Sequence, residues 1–292
     1  MSRFSKLLLM WVACGTVFAF MTPAVAAPTL TFKFAAVNIP GSIDVNAYGI
    51  SESGVVVGEY LDSAGLSHGF ILKGKTVTEV NDSKGGATFC QGISPNGSTV
   101  VGYYINSTGD DFGFVLKGKT FTPVPGPKGA ISTIAYGVND SGEIVGLYED
   151  AHFTRHGFSL KGGKYTTLDA PKAIGYTAAT GINNSGDIVL YWGDSSGKFE
   201  SSLYNGSTYT TINVPKAEDS LAQGINTSGD VVYWWLDSTK GIHGALREGG
   251  KYFTFNDPQG VGETYGYGLN DHSQIVGSYL VSRVLHGYEA TY

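Results

Sequence analysis

The chain has 292 residues, of which 42 are glycine, and only 15% carry charged side chains. Glycine is therefore at about twice its usual ~7% share. Hydrophobic residues make up 42% and aromatic residues 13%, which excludes an intrinsically disordered chain. The net charge of −6 opposes binding to nucleic acid, so we expect no nucleic-acid partner.

The first 26 residues have the pattern of a secretory signal peptide. Arg3 and Lys6 form a basic start, an apolar core runs from Leu7 to Phe20, and Ala24-Val25-Ala26 supplies small residues at a cleavage site. The apolar run is shorter than the ~20 residues that a membrane-spanning helix needs. We therefore predict a cleaved signal peptide over residues 1–26, export to the periplasm or the extracellular space, and no membrane span.

A short motif recurs along the rest of the chain at steps of 43 to 45 residues. It consists of glycine, an aliphatic residue and then asparagine or serine, and its six glycines are Gly49, Gly92, Gly137, Gly181, Gly224 and Gly268. Six repeats of this length fill the remaining chain and leave no room for a second domain. We predict a single repeat domain over residues 27–292.

Each repeat contains four short runs that are typical of β-strands. In the third repeat these runs begin near Thr133, Glu143, His156 and Lys164, and glycine, asparagine, aspartate or serine residues separate them. The runs are rich in Val, Ile, Tyr, Phe and Thr, which favour strands. Four strands in a repeat of about 44 residues are typical of a β-propeller blade. The sequence therefore predicts an all-β, six-bladed β-propeller.

The two ends of the chain predict how the ring closes. The sixth repeat stops after three strands at His286–Tyr292, whereas the segment Leu30–Pro40 has the pattern of a fourth strand. We expect Thr31–Val37 to run antiparallel to His286–Ala290 and to complete the sixth blade. Such pairing removes two open sheet edges.

The third strands carry a second recurring motif, seen in His68-Gly69-Phe70 and His156-Gly157-Phe158. This motif follows the glycine-aliphatic-asparagine unit. Because of this combination, residues 28–292 resemble the HAF-repeat family of extracellular repeat proteins. The chain has glycine where the family motif has alanine. By motif alignment, Phe112 and Phe199 replace histidine, and Ala245 and Tyr288 replace phenylalanine. The resemblance implies export and a repeat fold, and it supplies no catalytic residues.

Neither the histidines nor the polar turns predict a metal site. His68, His156, His243 and His286 occupy one position of the repeat and are therefore spread around the ring, whereas metal ligands must meet at one ion. We expect each histidine to bond to a neighbouring loop. The Asn-x-Ser-Gly turns lack the ligand series of a calcium loop and are typical of hairpins. We expect no metal and no cofactor.

Acidic residues recur in the loop after the second strand, at Asp62, Asp111, Asp150, Asp194 and Asp237. Such a ring of carboxylates suits cations or a basic partner, and a solvated rim is the simpler interpretation. The sequence contains no Gly-x-Ser-x-Gly elbow, phosphate-binding loop or other catalytic motif. We therefore assign no catalytic residue.

The end of the second strand departs from the repeat in two neighbouring units. Four units read Gly-x-Tyr, whereas units four and five read Leu190-Tyr191-Trp192 and Tyr233-Trp234-Trp235. Aromatic rings of this kind bind sugars by stacking, and an acid follows within three residues of each middle ring. We predict a ligand-binding surface at Tyr191, Trp234, Asp194 and Asp237. The alternative is that these rings widen the core between blades.

The sequence thus predicts an exported, non-enzymatic, monomeric binding or interaction propeller whose ligand is a glycan or a protein. Two alternatives stay open, because propellers host many functions. One is a secreted carbohydrate-active hydrolase or lyase that uses acidic loop residues. The other is a structural surface repeat protein.

Overall fold

The computed structural model describes residues 29–82 and 86–292. Within these residues, 24 β-strands form six four-stranded antiparallel sheets, the blades of a six-bladed β-propeller. No helix in the described ranges is long and apolar enough to cross a membrane. The predicted signal segment lies outside the described residues. The predicted fold class is confirmed.

The N-terminal strand β1 spans Lys33–Val37. Blade 1 consists of β2 (Ser42–Ile50), β3 (Val56–Asp62), β4 (Ser67–Lys73) and β5 (Thr76–Val80). Blade 2 consists of β6 (Thr88–Ile93), β7 (Val100–Ile105), β8 (Asp111–Lys117) and β9 (Thr120–Val124). Blade 3 consists of β10 (Ala130–Val138), β11 (Ile144–Asp150), β12 (Arg155–Lys161) and β13 (Lys164–Thr167).

The second half of the ring repeats this order. Blade 4 consists of β14 (Thr177–Ile182), β15 (Ile188–Gly193), β16 (Phe199–Tyr204) and β17 (Tyr209–Thr211). Blade 5 consists of β18 (Asp219–Ile225), β19 (Val231–Leu236), β20 (Ile242–Glu248) and β21 (Lys251–Phe255). Blade 6 consists of β22 (Thr264–Leu269), β23 (Gln274–Val281), β24 (Val284–Thr291) and the N-terminal β1.

The N-terminal strand closes the ring as predicted. β1 runs antiparallel to β24, with a register from Lys33 opposite Thr291 to Val37 opposite Gly287. The ring of Phe34 lies 5.3 Å from that of Tyr288 in β24. Because one blade is built from both ends of the described chain, its pairing holds the first and last blades together.

The motif glycines are required where the inner strands converge on the axis. A Cβ atom on Gly49 would lie 3.2 Å from the Cα of Gly92, and one on Gly92 would lie 2.3 Å from the carbonyl oxygen of Tyr136 in the next blade. Contacts this short leave no space for a side chain. The glycines therefore set how closely six blades approach each other.

The motif asparagines connect neighbouring blades by hydrogen bonds. The side-chain amide of Asn183 donates to the carbonyl oxygen of Asn226 at 3.1 Å, and that of Asn270 donates to Ser51 at 3.0 Å across the closure of the ring. The side-chain oxygen of Asn183 accepts the amide N–H of Asp187 in its own turn. These residues are thus structural turn residues, as the sequence predicted.

The core of each blade pairs one small and one large residue across its second and third strands. Gly58 lies opposite Phe70, and the same pairing recurs in blades 2, 3 and 6. In blades 4 and 5 the sizes are reversed, with Leu190 opposite Ser202 and Tyr233 opposite Ala245. The loss of glycine in these two blades is therefore a volume exchange in the core and does not by itself mark a binding site.

Candidate functional site

The predicted site residues lie toward one face of the ring. We call this the upper face; it carries the hairpins between second and third strands and the links between blades. Side chains alternate along a strand, so Tyr191 and Trp192 point to opposite sides of β15. This alternation decides which residues of the predicted set meet.

Tyr191 and Trp234 belong to separate aromatic clusters. The hydroxyl of Tyr191 lies 3.1 Å from that of Tyr176, and its ring lies 5.5 Å from that of Phe199. Burial raises the pKa of Tyr191 well above its usual range. Trp234 packs edge-on against Tyr265 of blade 6, at 5.7 Å between ring centroids. Among the described residues, no ring contact joins Tyr191 to Trp234.

Asp194 stabilises its own hairpin and lies on the side of Trp192, not of Tyr191. Its Oδ1 accepts hydrogen bonds from the hydroxyl and the N–H of Ser196 and from the N–H of Lys198 at 2.7 to 3.0 Å. These bonds, that of the Ser196 hydroxyl first, lower the pKa of Asp194. The structure therefore groups Asp194 with Trp192, two residues before it on the same side of the strand.

Asp237 has the same role in blade 5, with one additional partner. Its Oδ1 accepts the hydroxyl and the N–H of Thr239, and its Oδ2 lies 3.1 Å from Nε2 of His243. The Thr239 hydroxyl and then His243 lower the pKa of Asp237. Because His243 also packs on Trp235, Asp237 is separated from Trp234 by the strand. The four predicted residues do not converge on one surface.

The histidine of the third strand is a structural bridge in three blades. His68 contacts Oδ2 of Asp62 at 3.2 Å and Oδ1 of Asn81 at 3.1 Å, and its ring stacks on Tyr60 at 5.2 Å. Blades 3 and 5 repeat the arrangement with His156 and His243. The predicted loop-bonding role is confirmed for His68, His156 and His243. Within the described ranges, no group of three or more His, Cys, Asp or Glu side chains is placed to hold a metal ion.

In every blade except the fourth, a histidine or phenylalanine side chain of the third strand packs on the Tyr, or on its Trp counterpart, that ends the Gly-x-Tyr motif of the second strand. His286 stacks on Tyr279 at 5.3 Å, and Phe112 stacks on Tyr104 at 5.6 Å. In blade 4 the strand register places Glu200, and not Phe199, opposite Trp192. Motif alignment was therefore wrong by one residue, and among the described side chains no ring of the third strand stacks on Trp192.

A groove of about 470 Å³ opens at this position, and we call it the blade-4 groove. Its wall includes Lys172, Trp192, Asp194, Glu200, Tyr209 and Thr211. Trp192 forms the floor: it is 6% exposed, and its indole N–H donates to the Ser202 hydroxyl at 3.1 Å. Burial raises the pKa of Tyr209 to about 12, so its hydroxyl is protonated at neutral pH.

The two carboxylates of the groove differ from their counterparts in other blades. Glu200 accepts a hydrogen bond from the amide of Asn213, which occupies the place of Asn81 in blade 1. Oδ2 of Asp194 has no partner among the described residues, whereas Oδ2 of Asp62 is bonded to a histidine. The groove therefore combines free hydrogen-bond acceptors, a lysine and hydroxyl groups above an aromatic floor. Such a set suits a polyhydroxylated ligand.

Two other cavities suit such a ligand less well. The axial cavity measures about 80 Å³ and is lined by Tyr48, Gln91, Tyr136 and their counterparts, so it holds only a few water molecules. A cavity of about 600 Å³ lies where blade 6 meets blade 1. Its wall includes Val37, Ile39 and Leu285, and it contains no carboxylate.

Sequence reasoning missed Trp192, Glu200 and Lys172 as groove residues. The predicted site included Tyr191 and not its neighbour Trp192, and motif alignment put Phe199 in the position that the structure gives to Glu200. The same alignment placed Asp111 in the acidic series, whereas the counterpart of Asp62 in blade 2 is Asn106, which accepts two N–H groups of its turn. Aligning the repeats by strand register would have identified the one unit without a ring.

Comparison with solved structures supports the fold. AofleA from Arthrobotrys oligospora has 11% sequence identity and a TM-score of 0.59, over 90% of this chain and 87% of that one. The fungal lectin of Aleuria aurantia, a six-bladed propeller that recognises fucose, has 14% identity and a TM-score of 0.53, over 87% and 93%. A putative TolB from Agrobacterium tumefaciens has 18% identity and a TM-score of 0.56, over 72% and 79%.

At these identities the likeness concerns the fold alone. No family model matches the sequence, and no curated protein matches it. The similarity to HAF-repeat proteins therefore stays a prediction from the motifs.

Proposed function

We propose that the protein is an exported, non-enzymatic propeller that binds a glycan in the blade-4 groove. The observation that carries the proposal is the missing ring. Five blades stack histidine or phenylalanine on the aromatic residue of the second strand, and blade 4 instead has Glu200 and an open groove beside Trp192. A sugar ring is similar in size to the side chain that is absent.

The chemistry of the groove supports this ligand class. Oδ2 of Asp194 and the carboxylate of Glu200 accept hydrogen bonds from sugar hydroxyl groups, and Lys172 and Thr211 donate them. Contact with the edge of Trp192 and the ring of Tyr209 adds about 1 kcal/mol per ring. The recognition of fucose by the Aleuria aurantia lectin, a propeller of similar fold, is consistent with a glycan ligand.

The surface at Tyr191 and Trp234 stays a prediction for a second stacking site. Each ring is half-buried, and each already packs on aromatic neighbours, Tyr176 or Tyr265. A ligand there would have to use two separate clusters. We therefore place the main binding site in the groove and treat this surface as the alternative that the experiment distinguishes.

The test is a glycan array probed with protein that has been purified from an exporting host. The N-terminus of this purified protein should be Ala27. The best-bound glycan is then titrated against the wild type and Asp194→Asn. Asparagine keeps the hairpin, because Asn106 accepts the equivalent N–H groups in blade 2, but it replaces the free carboxylate oxygen with a donor. We expect affinity to fall by about tenfold or more, with little change in thermal midpoint.

The paired variant Tyr191→Ala/Trp234→Ala is the matched comparison and should bind the glycan as the wild type does. Loss of binding in this variant alone would move the site to the aromatic surface. A glycan that is cleaved during the titration would favour the hydrolase or lyase alternative. Absence of any bound glycan would contradict the proposed function.

A further inference from the structure

The exposed large apolar side chains of the described residues all lie on the upper face. They are Ile43, Leu66, Phe112, Ile131, Phe153, Ile174 and Val261. Each lies in a hairpin or link of that face or within two residues of one. Single exposed apolar residues are common on protein surfaces, but their confinement to one face indicates a contact surface.

Phe153 is the most unusual of them. It is 76% exposed and has a φ of +62°, in the left-handed region that bulky residues avoid. The same hairpin position is occupied by Gly65, Gly109 and Gly197 in blades 1, 2 and 4 and by Lys240 in blade 5, all with positive φ. Glycine would adopt the positive φ of this hairpin without strain. An exposed ring at a strained position therefore points to a role outside the fold.

The link that follows blade 3 brings a second apolar side chain next to Phe153. The backbone N–H of Arg155, two residues after Phe153, donates to the carbonyl oxygen of Gly175 at 3.1 Å. This bond joins the hairpin to the link that carries Ile174, which is 66% exposed. The two side chains thus project from neighbouring, hydrogen-bonded segments.

The surface continues toward blade 2. The hydroxyl of Ser132 in β10 is 3.4 Å from Oδ2 of Asp111 in β8, so the strand ends that carry Ile131 and Phe112 lie next to each other. Both are exposed, at 42% and 38%. We call the set Phe112, Ile131, Phe153 and Ile174 the apolar patch.

Carboxylates predominate around the apolar patch. Those in its hairpins and links are Asp110, Asp111, Asp150 and Asp169, against the lysines Lys128 and Lys172. Arg155 adds no free charge, because it is paired with Glu149 at 2.8 Å. A ligand for this surface must therefore match apolar groups surrounded by net negative charge.

We propose that the apolar patch is a docking surface for a protein partner with apolar side chains in a basic surrounding. The charges argue against two other occupants. A second copy of the chain, with its net charge of −6, would bring like charges together, and anionic lipid would be repelled. None of the four apolar residues of the docking surface lines the blade-4 groove, and the two surfaces share only the link that carries Lys172 and Ile174.

The probe for the test is a labelled synthetic peptide of alternating leucine and lysine, titrated against the full protein by fluorescence anisotropy. Two control peptides replace lysine with glutamate or leucine with serine. We expect only the leucine–lysine peptide to bind, and Phe153→Gly to weaken its binding at least tenfold. The same substitution should raise the thermal midpoint, because glycine adopts the local φ without strain. Weaker binding then cannot result from unfolding.

Val261→Ser is the matched control, because Val261 is equally exposed but lies on the link between blades 5 and 6. It should bind the peptide as the wild type does. Equal binding by Phe153→Gly, or equal binding of the glutamate peptide, would overturn the proposal. So would sedimentation that shows self-association lost in Phe153→Gly, or binding to phosphatidylcholine vesicles through the same residue.

Discussion

Removal of residues 29–40 should unfold or aggregate the protein rather than loosen one edge. This segment contains β1, and it buries Val37 and Ile39, each 6% exposed, against blades 6 and 1. Loss of these two side chains alone costs on the order of 5 kcal/mol. It also leaves β24 as an unpaired edge strand that invites association. Size-exclusion chromatography and thermal unfolding of the truncated protein measure both effects.

A synthetic peptide of residues 30–40, added in excess, should restore a monomeric, cooperatively unfolding protein. Strand addition of this kind uses main-chain hydrogen bonds and side-chain pockets that already exist. A peptide with Val37→Asp is the matched control and should fail, because it introduces a charge at a buried position. A truncated protein with the wild-type thermal midpoint would contradict closure of the ring by β1.

The volume exchange in blade 5 predicts a strong coupling between Tyr233 and Ala245. Tyr233→Gly removes a fully buried ring and should lower the free energy of unfolding by about 4 kcal/mol. Ala245→Phe alone overfills the same space and should cost about 3 kcal/mol. The double variant recreates the Gly58–Phe70 pairing of blade 1, so we expect it to recover about 3 kcal/mol of the summed loss. Urea unfolding measures all three variants.

Tyr233→Phe is the control for this cycle. It keeps the ring and removes only the hydrogen bond from the hydroxyl to the carbonyl oxygen of Ile212, which should cost about 1 kcal/mol. Additive effects of Tyr233→Gly and Ala245→Phe would mean that the two positions do not share one volume. The exchange would then not account for the missing glycine in this blade.

The fold was predictable from the sequence because its signals recur. The motif glycines mark positions where backbones of adjacent blades touch, so each repeat needs one. The closing strand was predictable because the first and last segments each lack a partner within their own repeat. β1 begins at Lys33, two residues later than predicted, and its pairing with β24 is otherwise as expected.

The candidate groove was less predictable because it depends on register. A shift of one residue moves a strand side chain to the other face of the sheet. Aligning Phe199 with the histidines therefore put Glu200 on the wrong face, away from Trp192. The divergence of Asp194 and Tyr191 was predictable from their spacing, because side chains three residues apart along a strand point to opposite sides. The register between the second and third strands is needed to show that blade 4 has Glu200 where the other five blades have histidine or phenylalanine.

The most direct test of the glycan site is the variant Glu200→His. A histidine at this position would face Trp192, Asp194 and Asn213, as His68 faces Tyr60, Asp62 and Asn81 in blade 1. It should fill the groove while leaving the thermal midpoint unchanged or higher. Calorimetric titration with the best-bound glycan should then show affinity reduced about 30-fold, from the loss of one ring contact and one hydrogen bond at about 1 kcal/mol each. Undiminished binding by a folded Glu200→His protein would contradict the groove as the glycan site.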